Sequence, residues 1–142
     1  MRAFVMAAAI AVVSTGQGVA GTAAGSWVGQ FNGRTFVRLE LRVEGDRLAG
    51  SLSIGNIQVD KAGALERVDE APAQAAPLSD VTRKGSTVSF ARKDVDDTDR
   101  FELHVTDASH AELHLVVTDE LRKELADAGI PPPKPIALIR PR

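Results

Sequence analysis

Residues 35–44 read TFVRLELRVE and set the strongest constraint on the fold. Val37, Leu39, Leu41 and Val43 fall on one face, and Arg38, Glu40, Arg42 and Glu44 fall on the other. A strict period of two marks a strand with one face buried and one in water. Gly45-Asp46 follows, with glycine at the first central position that a type II′ turn requires, and 47–54 (RLAGSLSI) returns. A two-residue loop pairs Val43 with Leu48, Leu41 with Gly50, Leu39 with Leu52 and Val37 with Ile54. Each inward residue thus meets an inward residue, and Gly50 leaves local room opposite Leu41. A chain nucleated by such a hairpin belongs to an antiparallel sheet.

The same period recurs further along. A turn at Gly55-Asn56 leads into 57–59, and Lys84-Gly85-Ser86 joins strands at 78–82 and 87–91. Asp107-Ala108-Ser109 joins strands at 101–106 and 110–117. Residues 61–76 lose the alternation and are Ala-rich, so they read as a long loop, and 93–100 (KDVDDTDR) reads as an acidic loop. The period then changes. Thr118 can cap a helix whose first turn carries Asp119 and Glu120 against the helix dipole. Leu121, Leu125 and Ala128 share one face and suit packing on the barrel end. Gly129 ends the helix, and Pro131-Pro132-Pro133 forbids its continuation. The segment 136–140 (IALIR) is the last strand. Many short antiparallel strands must hide their edges. The expected fold is all-β, an up-and-down antiparallel barrel of about eight strands with one short helix before the last strand. A flattened sandwich is the alternative.

The amino terminus has a different character. Met1-Arg2 is basic, 3–13 (AFVMAAAIAVV) is apolar, and 14–20 (STGQGVA) is small and polar. That order is the pattern of a secretory signal peptide. We expect residues 1–20 to be removed, with cleavage as late as Ala24 also open, and the domain to occupy 25–142. Eleven apolar residues are too few to span a bilayer, which needs about 20, so no membrane insertion is expected after cleavage. Gly16-x-Gly18-x-x-Gly21 matches the dinucleotide fingerprint in letters only: the fingerprint needs a strand before it and a helix after it, and here it lies in the expected cleavage region. The chain has no cysteine. That excludes disulfides, thiolate metal sites and a cysteine nucleophile, and it suits a periplasmic or secreted bacterial protein. A formal charge of −2 excludes a basic nucleic-acid surface. One tryptophan and no tyrosine exclude a platform of stacked aromatics.

Gly25-Ser26-Trp27-Val28-Gly29 resembles the G-x-W start of lipocalins and the wider calycin barrels. The longer run is similar to small bacterial exported barrel modules of lipocalin-like type, some of them joined to serine hydrolase domains. The matching pieces are 25–31 (GSWVGQF), 37–54 (VRLELRVEGDRLAGSLSI), 77–93 (PLSDVTRKGSTVSFARK) and 135–140 (PIALIR). The chain departs from lipocalins in its length, in lacking disulfides and in placing a helix before the last strand. Avidin-like barrels share the G-x-W start, but their pocket needs several tryptophans. The resemblance implies that Trp27 closes one end of the barrel and that a basic residue on the last strand, here Arg140, lies over the indole as a plug.

Three kinds of chemistry are open to these residues. The inward positions Val37, Leu39, Leu41, Leu52, Ile54, Phe90, Leu103, Leu113 and Leu115 either fill a narrow barrel or line a cavity for a small apolar ligand. Glu102, His104, His110, Glu112 and His114 project from one face of the hairpin at 101–117, with His104 opposite Glu112 and Glu102 opposite His114. His104, His110, Glu112 and His114 are candidate metal ligands, but cross-strand His–Glu pairs on a solvated face are the simpler reading. Asp94, Asp96, Asp97 and Asp99 could bind calcium, though the loop lacks the EF-hand glycine and its closing glutamate. No G-x-S-x-G elbow and no P-loop is present. The expectation is an exported, non-enzymatic, lipocalin-like binding module without a cofactor, taking a small apolar ligand or an envelope protein. Its rivals are a periplasmic inhibitor or partner of a hydrolase, which would use loops 61–76 and 93–99, and a metal-dependent enzyme on the His/Glu face.

Overall fold

The computed structural model describes residues 23–93 and 98–141. Among the described residues ten strands and one complete helix follow in chain order: β1 (Gly25–Phe31), β2 (Arg34–Glu44), β3 (Arg47–Ile54), β4 (Ile57–Val59), β5 (Leu65–Val68), β6 (Ala76–Lys84), β7 (Thr87–Lys93), β8 (Thr98–Val105), β9 (His110–Leu115), α1 (Asp119–Asp127) and β10 (Ile136–Ile139). Eight of the strands form a closed antiparallel barrel in the order β1-β10-β9-β8-β7-β6-β3-β2, while β4 and β5 form a separate two-stranded sheet.

The β2–β3 hairpin has the register that its alternation requires. Val37 faces Ile54, Leu39 faces Leu52, Leu41 faces Gly50 and Val43 faces Leu48. Gly45 has φ +66, and among the described residues only Asn32 and Asp80 are non-glycine residues with positive φ. One positive φ at the first central position is the type II′ geometry. Two details differ from expectation. Gly50 leaves no room, because a Cβ there would collide with the Glu40 carbonyl, so glycine is what lets the two strands approach. Val43 is 51% exposed. Strand β1 pairs with β2 only as far as Leu41, and β6 reaches β3 only at Ser51 and Leu52. The hairpin tip therefore runs beyond the barrel rim, where Val43 meets water while its partner Leu48 stays in the core cluster.

The inward side chains form one core. Trp27, Val37, Leu39, Leu41, Leu52, Val88, Phe90, Phe101, Leu103, Leu113 and Leu138 are buried in a single hydrophobic cluster, with Ile54 and Leu115 half-buried against it. Phe90 and Phe101 stack at 5.7 Å between ring centroids. The barrel has two thin seams. Strand β3 meets β6 at Ser51↔Pro77 and Leu52↔Ala76 only, and Pro77 has no N–H to extend that ladder. Strand β1 meets β10 at Val28↔Ile139 alone.

Three segments correct the sequence expectation. The stretch 61–76 is not a long loop, because it contains β5 and the start of β6. The Asp60 carboxylate accepts from the backbone N–H groups of Ala62 and Ala64 at 2.8 and 3.0 Å, which folds the chain into the β4–β5 hairpin. A register shift between Gln58 and Val59 hides the alternation. The acidic segment is likewise shorter than expected. Strand β7 runs to Lys93 and β8 starts at Thr98, with Lys93 opposite Thr98 and Arg92 opposite Asp99. Helix α1 has the expected ends. The Thr118 hydroxyl accepts from Leu121 N–H, and Gly129 at φ +71 closes a Schellman pattern through Gly129 N–H to Ala126 O and Ile130 N–H to Leu125 O. The helix does not pack into the barrel end, since none of its residues is buried.

Replacing Leu39 with alanine removes a fully buried side chain from the middle of this cluster. The expected loss is about 2–5 kcal/mol in urea unfolding. A loss below about 1 kcal/mol would mean that this face of β2 is not core.

Candidate functional site

The two ends of the barrel are built differently. At one end Trp27 is fully buried, and its indole N–H donates to the Ala23 carbonyl at 2.8 Å. The Arg140 guanidinium lies over the indole with its central carbon 3.8 Å from the ring centroid. It donates from Nη1 to Ala24 O at 2.7 Å and to Ser26 O at 3.4 Å, and from Nε to Ala108 O at 3.2 Å. Partial burial lowers the arginine pKa from its ordinary value, yet the group stays charged at neutral pH. Gly25 explains the glycine that precedes this tryptophan. Its φ is +108, and a Cβ there would sit 2.8 Å from Arg140 Nη1. Only glycine allows both that backbone and the stacked guanidinium.

The β4–β5 hairpin occupies the other end. Val68 is buried in the core cluster and Leu65 packs against it. Backbone bonds from Gly55 N–H to Phe36 O and Ala71 N–H to Thr35 O tie the hairpin to β2, and Asp69 N–H to Asn56 O closes its base. The buried Ser53 hydroxyl donates to Pro72 O at 2.6 Å and fixes the segment that follows. Cavities gather around this hairpin. One of about 410 Å³ has a mostly polar lining, bordered by Leu52, Ser53, Ile54, Gln74, Arg92 and Lys93 among others. A second, of about 260 Å³, is mostly apolar and lies between the hairpin, the start of β10 and the proline-rich segment before it. Phe36, Ile57, Val59, Leu65, Pro133 and Ile136 give it its apolar character. It sits beside the thin β1–β10 seam, where Gln30 and Ala137 also line it.

The residues expected to line a ligand cavity divide accordingly. Leu52 and Ile54 border the polar cavity. Val37, Leu39, Leu41, Phe90, Leu103 and Leu113 sit inside the packed cluster. The apolar cleft escaped the sequence reading. Its clearest signal was Phe36, which interrupts the alternation beside Val37. The register shifts between Gly29 and Gln30 around Phe36, so both neighbours are buried, at 1% and 0% exposure. Ile57 and Val59, apolar on a short strand and each 36% exposed, were a second signal.

On the outer face of β8 and β9, His104 lies opposite Glu112 and Glu102 opposite His114 in register. The side chains choose other partners. His104 Nε2 lies 3.1 Å from Glu102 Oε1, and His114 Nε2 lies 3.1 Å from Glu112 Oε1, each along its own strand. The two imidazoles meet each other at 4.3 Å between centroids. His110 is held apart by Asp107, 2.9 Å from its Nδ1. The Ser109 N–H and the His110 side chain hold the Asp107 carboxyl below its ordinary pKa. No three His, Asp or Glu side chains among the described residues are grouped to hold a metal, and His104, His110, Glu112 and His114 do not converge on one point. Asp94, Asp96 and Asp97 lie outside the described residues. Asp99 is on strand β8 and pairs with Arg92 at 3.4 Å.

The class these observations define is a closed eight-stranded antiparallel barrel, plugged at one end and capped by a hairpin at the other. Comparison with protein-family models, with curated proteins and with solved structures finds no match to the chain.

Two outcomes follow from this geometry. Arg140→Ala uncovers the indole and removes its stack, worth about 0.5–2 kcal/mol, together with the packing of the arginine stem. We expect a red shift of tryptophan emission and a destabilisation of about 1–2 kcal/mol. An unchanged emission maximum would show that Arg140 does not shield Trp27. Zinc in modest excess should leave the melting temperature unchanged, since a ligand that binds only the native state raises it. A zinc-dependent rise that His104→Ala or His114→Ala abolishes would establish a metal site on this face.

Proposed function

We propose that the protein is an exported, non-enzymatic, lipocalin-like binding module for a small apolar ligand, and that the ligand site is the cleft between the β4–β5 hairpin and the segment 133–137. The observation that carries this reading is the apolar cleft of about 260 Å³ at the hairpin end of the barrel. Concave apolar sites with a few polar groups are the usual form of small-molecule sites. The closely packed inward side chains favour a ligand at the barrel rim over one in its centre.

The lipocalin likeness rests on the G-x-W start, with Trp27 under Arg140, and on the closed barrel. Export rests on the amino-terminal pattern of basic, apolar and small residues. Among the described residues no helix is long and apolar enough to cross a membrane. Cleavage after Ala20 suits the fold better than cleavage after Ala24. The later cut would remove Ala23, the carbonyl that receives the buried Trp27 N–H, and an unpaired buried donor costs about 1–3 kcal/mol. A second reading, a partner-binding module or hydrolase inhibitor, draws on the ordered β4–β5 hairpin with Ile57 and Val59 exposed at 36% each.

The neutral fluorophore N-phenyl-1-naphthylamine tests the ligand reading on the full chain. Saturable enhancement that Ala64→Trp abolishes is expected, because Ala64 lines the cleft and an indole there fills it. Absence of saturable binding, or binding indifferent to that substitution, overturns the cleft as the ligand site. The mass of the exported chain should correspond to residues 21–142.

A further inference from the structure

The cleft is apolar along its walls and carries one cation, Lys134. Among the described residues Lys134 has no ion pair. The carboxylate in the adjoining turn, Asp60, accepts the N–H groups of Ala62 and Ala64 at Oδ1 and makes no ion pair with Lys134. Lys134 stands between Pro133 and Pro135, the end of a run of prolines at 131–133. Proline fixes φ near about −65° and has no N–H, so the backbone that presents Lys134 is stiff and has lost much of its entropy in advance. The lysine stem is placed too. Its Cε lies 3.6 Å from the position a Cβ would take on Gly63, which has φ +87 at the turn of the β4–β5 hairpin. A second polar group on the wall is Gln30, whose amide donates to Thr35 Oγ1 at 3.4 Å.

We infer that the ligand of this cleft is an amphiphile, an aliphatic chain ending in an anionic head that pairs with Lys134. This inference rests on the ligand reading above and adds the charge of the ligand. The charge follows from complementarity. An ammonium at the rim of an apolar cleft, lacking a protein carboxylate, is matched by an anionic head whose tail takes the apolar wall. A neutral alcohol of the same length fills the same wall and leaves the ammonium to water.

The test is displacement of N-phenyl-1-naphthylamine from the full chain by octanoate and by octan-1-ol. Wild type should release the probe at about tenfold lower octanoate than octanol, the factor that corresponds to about 1.4 kcal/mol. Lys134→Gln should bring the two concentrations together by weakening octanoate alone. Lys93→Gln, on the polar cavity at the opposite side of the hairpin, should change neither. Equal potency of octanoate and octanol in wild type overturns the anionic head and leaves the apolar cleft standing, as does a probe that neither displaces. Loss of octanoate preference in Lys93→Gln, with Lys134→Gln unchanged, moves the head group to the Arg92–Lys93 cavity and overturns the role of Lys134. Failure of the probe to bind overturns the ligand reading itself.

Discussion

The barrel depends on how its two chain ends are joined. Strands β1 and β10 share a single register pair, Val28↔Ile139, too few backbone bonds to close a sheet securely. Arg140 supplies the rest. Its guanidinium covers the Trp27 ring and donates to Ala24 and Ser26 on one side and to Ala108 in the β8–β9 turn on the other. One side chain thus links β1, the residue after β10 and the neighbouring hairpin. The grouping of charge, plane and donors suits arginine and not lysine, because a planar fork can stack and donate in two directions at once. Gly25 is part of the same device, since it leaves the space in which Nη1 sits.

That tight end leaves the other end free to vary. A closed barrel has no edge strands, so its stability does not require the connection between β3 and β6 to be short. The connection is spent on the β4–β5 hairpin, which drops Val68 into the core and holds Leu65 beside it. A hairpin anchored through Val68 and through backbone bonds to Thr35 and Phe36 stands partly off the sheet. The gap between it and the β1–β10 seam is the cleft. The weak seam and the cleft share a setting: β10 is only Ile136–Ile139, preceded by Pro131, Pro132, Pro133 and Pro135.

Much of the barrel was legible in the sequence. Alternation with a glycine turn specified β2 and β3 residue by residue, down to Leu39 opposite Leu52. The turn at 107–109 specified β8 and β9, with Glu102 opposite His114. These are local rules, and a slip by one residue would have turned the whole apolar set outward. What was not legible depends on contacts distant in sequence. Residues 65–68 became a strand because Asp60 caps the turn before them and Val68 finds the core. Neither is visible as a period. Gly50 read as space because alternation says which face a residue takes and nothing about how near the next backbone lies. The imidazoles chose carboxylates along their own strands, a rotamer choice that register alone does not decide.

Phe36 carries the lesson for the site. In a perfect strand it would face away from Val37 into water, and an aromatic ring there would be a liability. The shift of register between Gly29 and Gln30 sets Phe36 apart from the ladder, and the β4–β5 hairpin then covers it, to 1% exposure. Because that cover comes from a separate small sheet and not from the barrel, it leaves space at its border. The ring forms one wall of that space, Ile57 and Val59 form another, and the stiff proline segment forms a third. A bulge, which costs the sheet a pair of backbone partners, has here turned a residue of the outer face into the floor of a cleft.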